Sequence, residues 1–144
     1  NLLEDVKTRL RVLTPLDAEA NFKQSAFVGA PRVGTAAVSA VDPDNSDAVW
    51  LTVTDFLTPS ALSIAEIGKQ PEVLKTMPAF FEAEGLVSEQ YFATSKDGTR
   101  VPMFIVRKKG ATGPAPTLLY GYGGFNISLT PAFSAANLAW VEAG

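Results

Sequence analysis

The residues best suited to chemistry lie in one glycine-rich stretch, GYGGFN, at residues 121–126. Tyr122 carries a phenol that stays protonated at neutral pH, so it can donate a hydrogen bond to a developing negative oxygen. Phe125 offers an apolar face for a pocket, and Gly123 and Gly124 leave the backbone with little bulk, so a substrate can lie close to it. Aromatic side chains packed over a tight turn would show the same residues, and the stretch alone leaves both interpretations open.

The composition excludes several kinds of catalytic site. The chain contains no histidine and no cysteine, so it holds no Ser-His-Asp triad, no thiol nucleophile and no soft metal ligands. No serine stands in a Gly-x-Ser-x-Gly or Ser-x-x-Lys arrangement. The acidic residues Asp42, Asp44 and Asp47 lack the glycine and glutamate spacing of an EF-hand loop. We therefore predict no metal site, no cofactor and no complete hydrolase within these residues.

The charge and hydropathy of the chain argue against binding to nucleic acid or insertion into a membrane. Twelve lysines and arginines are scattered among fifteen acidic residues, which gives a net charge of −3 and no basic patch for nucleic acid. No apolar run reaches the roughly 18 residues that a membrane-spanning helix needs. With 47% hydrophobic and 19% charged residues, the composition is typical of a soluble globular chain. The sequence leaves the compartment open between cytoplasm and periplasm.

Residues 1–76 read as short strands separated by turn signals. The segment DAVWLTVTDF sets Val49, Leu51 and Val53 on one face and polar or aromatic residues on the other, which is the period of a strand. The turn formers DPDNSD precede it, and a further strand and a polar loop follow it. This spacing predicts a repeated antiparallel sheet, such as a propeller blade.

The pattern changes near residue 77. Two strands are predicted at 89–94 and 101–106, joined by a hairpin turn at Asp97-Gly98. A short apolar strand at 117–120 would lead into the glycine-rich stretch. A helix is predicted at 134–143, capped by Ser134 and ended by Gly144. Strand, glycine loop and helix in this order are typical of an α/β domain.

Two segments resemble sequences of the prolyl oligopeptidase family, a family of serine peptidases in the α/β-hydrolase superfamily. They are LLYGYGGFNISLTP, which contains the glycine-rich stretch, and SKDGTRVPMFIVRKKG upstream. More loosely, LTVTDFLTPSAL is similar to the last blade of that family's seven-bladed propeller. The resemblance implies a mixed fold, in which residues 1–76 form the C-terminal propeller blades and residues 77–144 form the start of the α/β-hydrolase domain.

The resemblance also implies roles for single residues. Tyr122 corresponds to the oxyanion-hole tyrosine and Phe125 to an aromatic of the S1 pocket, while Gly123 and Gly124 supply loop backbone. The triad would lie downstream, outside this chain. The parent protein is then expected to cleave short proline-containing peptides on the carboxyl side of proline through an acyl-enzyme. The 144-residue chain, without the remainder of its parent, is predicted to be inactive.

Two alternatives remain. Oligopeptidase B-like enzymes tend to carry an alanine and a tyrosine where this chain has Gly124 and Phe125, and they would prefer arginine to proline. If the 144 residues were the complete chain, a non-catalytic β-rich binding module would be expected instead.

Overall fold

The structure is a computed structural model that describes residues 1–17 and 21–143. The described part contains ten strands and one helix, and each paired strand runs antiparallel to its neighbour. The strands are β1 Leu2–Glu4, β2 Lys7–Arg9, β3 Arg11–Pro15, β4 Phe22–Ala26, β5 Thr35–Ala40, β6 Ala48–Thr54, β7 Ala61–Glu66, β8 Glu72–Thr76, β9 Leu86–Thr94 and β10 Arg100–Lys108, and the helix is α1 Ala135–Glu142.

The largest sheet has four strands in the order β5-β6-β7-β8. Val49 and Leu51 of β6 are buried, whereas Trp50 between them is exposed, so the predicted alternation in this strand is confirmed. The strands β3 and β4 form a separate pair that precedes this sheet. A core of six buried residues joins the two units: Leu10, Phe27, Ala36, Val49, Leu51 and Ala65.

The fourth strand, β8, was not predicted from the sequence. It lies at the edge of the sheet, and all five of its residues are exposed. Alternation between buried and exposed positions, which identifies a half-buried strand, is therefore missing from β8. Its pairing with β7 also shifts register between Leu62 and Ser63.

The predicted hairpin is confirmed and is longer than expected. Its strands, β9 and β10, pair along their whole length. At the turn Gly98 has a φ of 84°, a conformation that favours glycine, and the Asp97 carboxylate accepts a hydrogen bond from the backbone N–H of Thr99 at 3.0 Å. One face of the hairpin packs towards the rest of the chain, with Phe104 5.3 Å from Phe56 between ring centroids.

The helix is confirmed, but the strand at 117–120 is not. Ser134 is the N-cap of α1, and its side chain accepts a hydrogen bond from the N–H of Asn137. The predicted helix end at Gly144 lies outside the described residues. Residues 117–120 form no strand with any described part of the chain, and Leu119 is 91% exposed. A strand needs a partner for its backbone groups, and no described strand pairs with this segment.

The described chain is therefore mostly β-sheet, with one short helix. None of the described helical residues forms a segment long and apolar enough to span a bilayer.

Candidate functional site

The centre of the candidate site is a tight turn at residues 124–127. The N–H of Ile127 donates to the carbonyl of Gly124 at 3.1 Å, and the two central residues, Phe125 and Asn126, have φ angles of 52° and 54°. Positive φ at both central residues is the signature of a type I′ turn. Asparagine tolerates this left-handed region, but a bulky aromatic residue rarely adopts it. The backbone at Phe125 is thus strained.

The strain at Phe125 is not offset by packing within the described chain. The side chain is 92% exposed, so the turn presents a phenyl ring to solvent. Residues held in a left-handed conformation cost about 1–3 kcal/mol and are concentrated at active sites and ligand clamps. Phe125 is therefore a candidate ligand contact on structural grounds as well as by its residue type.

Tyr122 folds back over Gly124. A methyl group built on Gly124 would lie 2.8 Å from the Tyr122 hydroxyl oxygen and 3.0 Å from the ring carbon that bears it. Glycine at this position therefore gives the phenol its room. The Tyr122 side chain is 45% exposed and makes no hydrogen bond to any described residue. The hydroxyl remains available to an external acceptor.

The other glycines of the stretch have a different setting. Gly121 and Gly123 do not have positive φ, and a methyl group on either would meet no atom within 4 Å. The left-handed conformations lie on Phe125 and Asn126 instead. Within the described part of this stretch, only Gly124 is therefore a position where a side chain would meet another atom, and the open space beside Gly123 leaves the backbone accessible.

The chain is anchored just after this turn. Pro131 is fully buried, and its carbonyl accepts a hydrogen bond from the Thr35 hydroxyl at 2.7 Å. The N–H of Phe133 donates to the Thr54 hydroxyl oxygen at 3.3 Å. The Phe133 ring stacks on Phe81 with 5.5 Å between centroids. The four-stranded sheet thereby holds the segment that connects the turn to α1.

A cleft of about 350 Å³ lies beside this anchor. Thr54 and Ser60 line it on the side of the sheet, and Met77, Phe80 and Phe133 are its large apolar lining residues. Neither Tyr122 nor Phe125 lines the cleft. Both predicted site residues therefore lie outside this cavity, Phe125 within the turn and Tyr122 two residues before it.

None of the described residues with a shifted pKa belongs to the turn at residues 124–127. Hydrogen bonds from Asn45 and from the N–H of Asp44 lower the pKa of Asp42, and the hydrogen bond and charge of Glu89 raise the pKa of Arg107. Asp42 thus caps its own turn. No group of three or more possible metal ligands was found among residues 1–17 and 21–143.

Sequence reasoning missed two features of this region. It did not predict the left-handed conformation of Phe125 and Asn126. Asn126 was an available signal, because asparagine is enriched in that conformation. The threonine anchors were also missed, since nothing in the sequence joins Thr35 or Thr54 to a segment so far along the chain.

The chain is similar in sequence to known peptidases. No protein-family model matches the chain. An uncharacterized peptidase from Sinorhizobium fredii is 42% identical over 118 residues, which are 79% of this chain and 16% of that protein. A prolyl endopeptidase from Elizabethkingia miricola is 46% identical over 99 residues, which are 67% of this chain and 14% of that protein.

Solved structures agree with these sequence matches. A prolyl endopeptidase structure superposes with a TM-score of 0.81 at 33% identity, over 99% of this chain and 20% of that chain. The chain belongs to the prolyl oligopeptidase family. Oligopeptidase B from Trypanosoma brucei also matches, with a TM-score of 0.75 at 26% identity, over 95% of this chain and 21% of that one.

The sheets of this chain can be compared with those of solved prolyl endopeptidases. The arrangement of the described strands matches propeller blades of prolyl endopeptidases. The chain spans only 16% and 14% of the length of the two curated relatives.

Proposed function

We propose that this chain is part of a serine endopeptidase that hydrolyses short peptides on the carboxyl side of proline through an acyl-enzyme. Membership of the prolyl oligopeptidase family supports a peptidase parent. The observation that carries the site assignment is the strained turn, which exposes Phe125 next to a Tyr122 hydroxyl free of described partners.

The proposed division of the chain has residues 1–76 as C-terminal propeller blades and residues 77–144 as the start of the α/β-hydrolase domain. The four-stranded antiparallel sheet supports the first part. The order of hairpin, loop and capped helix after residue 77 supports the second. In this proposal residues 117–120 become a strand once the neighbouring strands of the parent protein lie beside them.

Tyr122 stabilises the oxyanion in the proposed reaction. When a serine of the parent protein attacks the scissile carbonyl, negative charge develops on the carbonyl oxygen. A phenol held in place donates a hydrogen bond to that charge and lowers the barrier. The serine and its histidine and aspartate partners come from elsewhere in the parent, because this chain contains no histidine.

Phe125 forms one wall of the S1 pocket in the same proposal. Its exposed ring can stack on a proline ring, and burial of that contact adds apolar stabilisation in the complex. Gly123 and Gly124 form the loop backbone between these two side chains. The open space beside Gly123 would let the peptide approach the main chain.

The test uses the full-length parent enzyme and chromogenic peptides that carry proline, alanine or arginine at the cleaved position. Tyr122→Phe should lower kcat about 100- to 1,000-fold with a smaller effect on KM, because it removes a single oxyanion donor. Tyr120→Phe is the matched control, since Tyr120 is exposed and has no assigned role. An unchanged kcat in Tyr122→Phe would refute the oxyanion role.

The same peptides test the pocket. Phe125→Ala should lower kcat/KM for the proline peptide by about 10- to 200-fold, the usual range for losing apolar contact in a pocket. The arginine and alanine peptides should be less affected. Equal losses on all three peptides would contradict a proline-specific contact.

An oligopeptidase B-like specificity is the second candidate, and the match to the Trypanosoma brucei enzyme supports it. In that case the parent would prefer the arginine peptide to the proline peptide. The isolated 144-residue chain is the negative control and should cleave neither, because it lacks a histidine to activate a nucleophile. A parent protein with no activity on any peptide would favour the non-catalytic module.

A further inference from the structure

Two threonines of the four-stranded sheet form hydrogen bonds to the backbone that follows the candidate turn. Thr35 of β5 and Thr54 of β6 are directly opposite each other in the strand register, so their side chains lie on the same face of the sheet. The Thr35 hydroxyl donates to the carbonyl of Pro131 at 2.7 Å. The N–H of Phe133 donates to the Thr54 hydroxyl oxygen at 3.3 Å.

The direction of the Thr54 contact is set by a third hydrogen bond. The Thr54 hydroxyl donates its own proton to the carbonyl of Thr58 at 3.1 Å, so a lone pair of its oxygen faces the N–H of Phe133. The pair of hydroxyls thus supplies one donor and one acceptor to the two peptide groups that flank Ala132. A neighbouring strand would satisfy the same kinds of backbone groups.

These contacts fix one end of the loop that carries Tyr122. Pro131 is fully buried and has a restricted φ, and Ser134 caps α1 immediately afterwards. The other end of the loop is not held in the same way, because Leu119 is 91% exposed. Within the described chain, the placement of the turn therefore depends on the anchor at Pro131 and Phe133.

We propose that Thr35 and Thr54 are positioning residues for Tyr122, an inference that rests on the proposed function. They act from the sheet by fixing the backbone at Pro131 and Phe133. This in turn sets where the phenol stands relative to the reacting carbonyl. A displacement of about 1 Å in a group that must be aligned for catalysis can reduce the rate by about 100-fold.

The experiment compares variants of the full-length enzyme on the proline peptide. Thr54→Val removes the acceptor for the Phe133 N–H and should lower kcat about 10- to 100-fold, the scale of a misplaced catalytic group. KM should change less than kcat, because the hydrogen bond of Tyr122 forms in the transition state, whereas only a shift of Phe125 on the same loop affects ground-state binding. Thr54→Ser keeps the hydroxyl and should restore most of kcat.

Thr52→Val is the matched control. Thr52 lies on the same face of the same strand, and its side chain makes no hydrogen bond to another described residue. It should leave kcat unchanged. If Thr54→Val does not fold, as judged by circular dichroism, Thr35→Val decides the question by the same measurements.

A double-mutant cycle separates this inference from the proposed function. If Thr54 acts through Tyr122, Thr54→Val should have little further effect on kcat in a Tyr122→Phe background. Full additivity of the two effects on kcat would overturn the positioning role and leave the proposed function standing. A normal kcat in both Thr54→Val and Thr35→Val, with an impaired Tyr122→Phe, would have the same consequence. A normal kcat in Tyr122→Phe would instead overturn the role of the loop, and the positioning role with it.

Discussion

Gly124→Ala is a sharp test of the geometry at the candidate turn. The added methyl group would lie 2.8 Å from the Tyr122 hydroxyl oxygen, whereas favourable contacts between non-bonded heavy atoms lie at about 3.5 Å or more. The phenol must therefore move by more than about half an ångström. We expect kcat of the full-length enzyme to fall about tenfold, which is less than deletion of the donor would cause.

The stability of the protein should change little in Gly124→Ala. The atom that must move is the outer end of a half-exposed side chain, and Gly124 does not have positive φ. Gly121→Ala is the matched control, because its methyl group meets no described atom within 4 Å and Gly121 has no assigned role. Steady-state kinetics should thus separate two glycines of one stretch that the sequence does not distinguish.

Two outcomes would refute this reasoning. One is a normal kcat in Gly124→Ala, which would mean that the phenol accommodates a methyl group without losing its position. The other is an equal loss of kcat when Gly124→Ala is added to Tyr122→Phe, because the methyl group would then act on something other than the Tyr122 hydroxyl.

Two further predictions concern the turns. Asn126→Ala should destabilise the candidate turn by about 1–2 kcal/mol, since alanine tolerates a φ of 54° less well than asparagine, whereas Asn126→Gly should be close to neutral in denaturant unfolding. The Asp97 carboxylate has a lowered pKa, chiefly because the N–H of Thr99 donates to it. The stabilisation of the hairpin by this carboxylate should be present above the unfolded-state pKa and should be lost as the pH falls through the lower folded-state pKa. A carboxyl NMR titration would measure the folded-state pKa. Asp97→Asn should abolish this pH dependence of stability.

Local patterns in the sequence predicted the elements whose causes are local. The alternation around Leu51, the Asp97-Gly98 turn and the Ser134 cap each depend on neighbouring residues, and the structure contains all three features. The glycine-rich stretch was likewise recognised as a single loop.

The remaining features depend on partners distant in sequence. The segment at 117–120 has the composition of a strand, yet it forms none here because a strand is defined by its neighbour. The strand β8 has its neighbour and lacks the alternation. The anchors at Thr35 and Thr54 depend on residues almost at the other end of the chain, and no local pattern could indicate them.

The two tyrosines of the loop differ in their surroundings, which supports different proposed roles for them. An oxyanion donor lowers the barrier only if it is held in place before the charge develops. Tyr120 lies next to the unanchored end, is 74% exposed and precedes the turn. Tyr122 is seated over Gly124, at the start of a turn whose far side leads to the buried Pro131. The Tyr122 hydroxyl has no hydrogen-bond partner among the described residues and lies over Gly124, and this setting supports the proposal that Tyr122, not Tyr120, is the oxyanion donor.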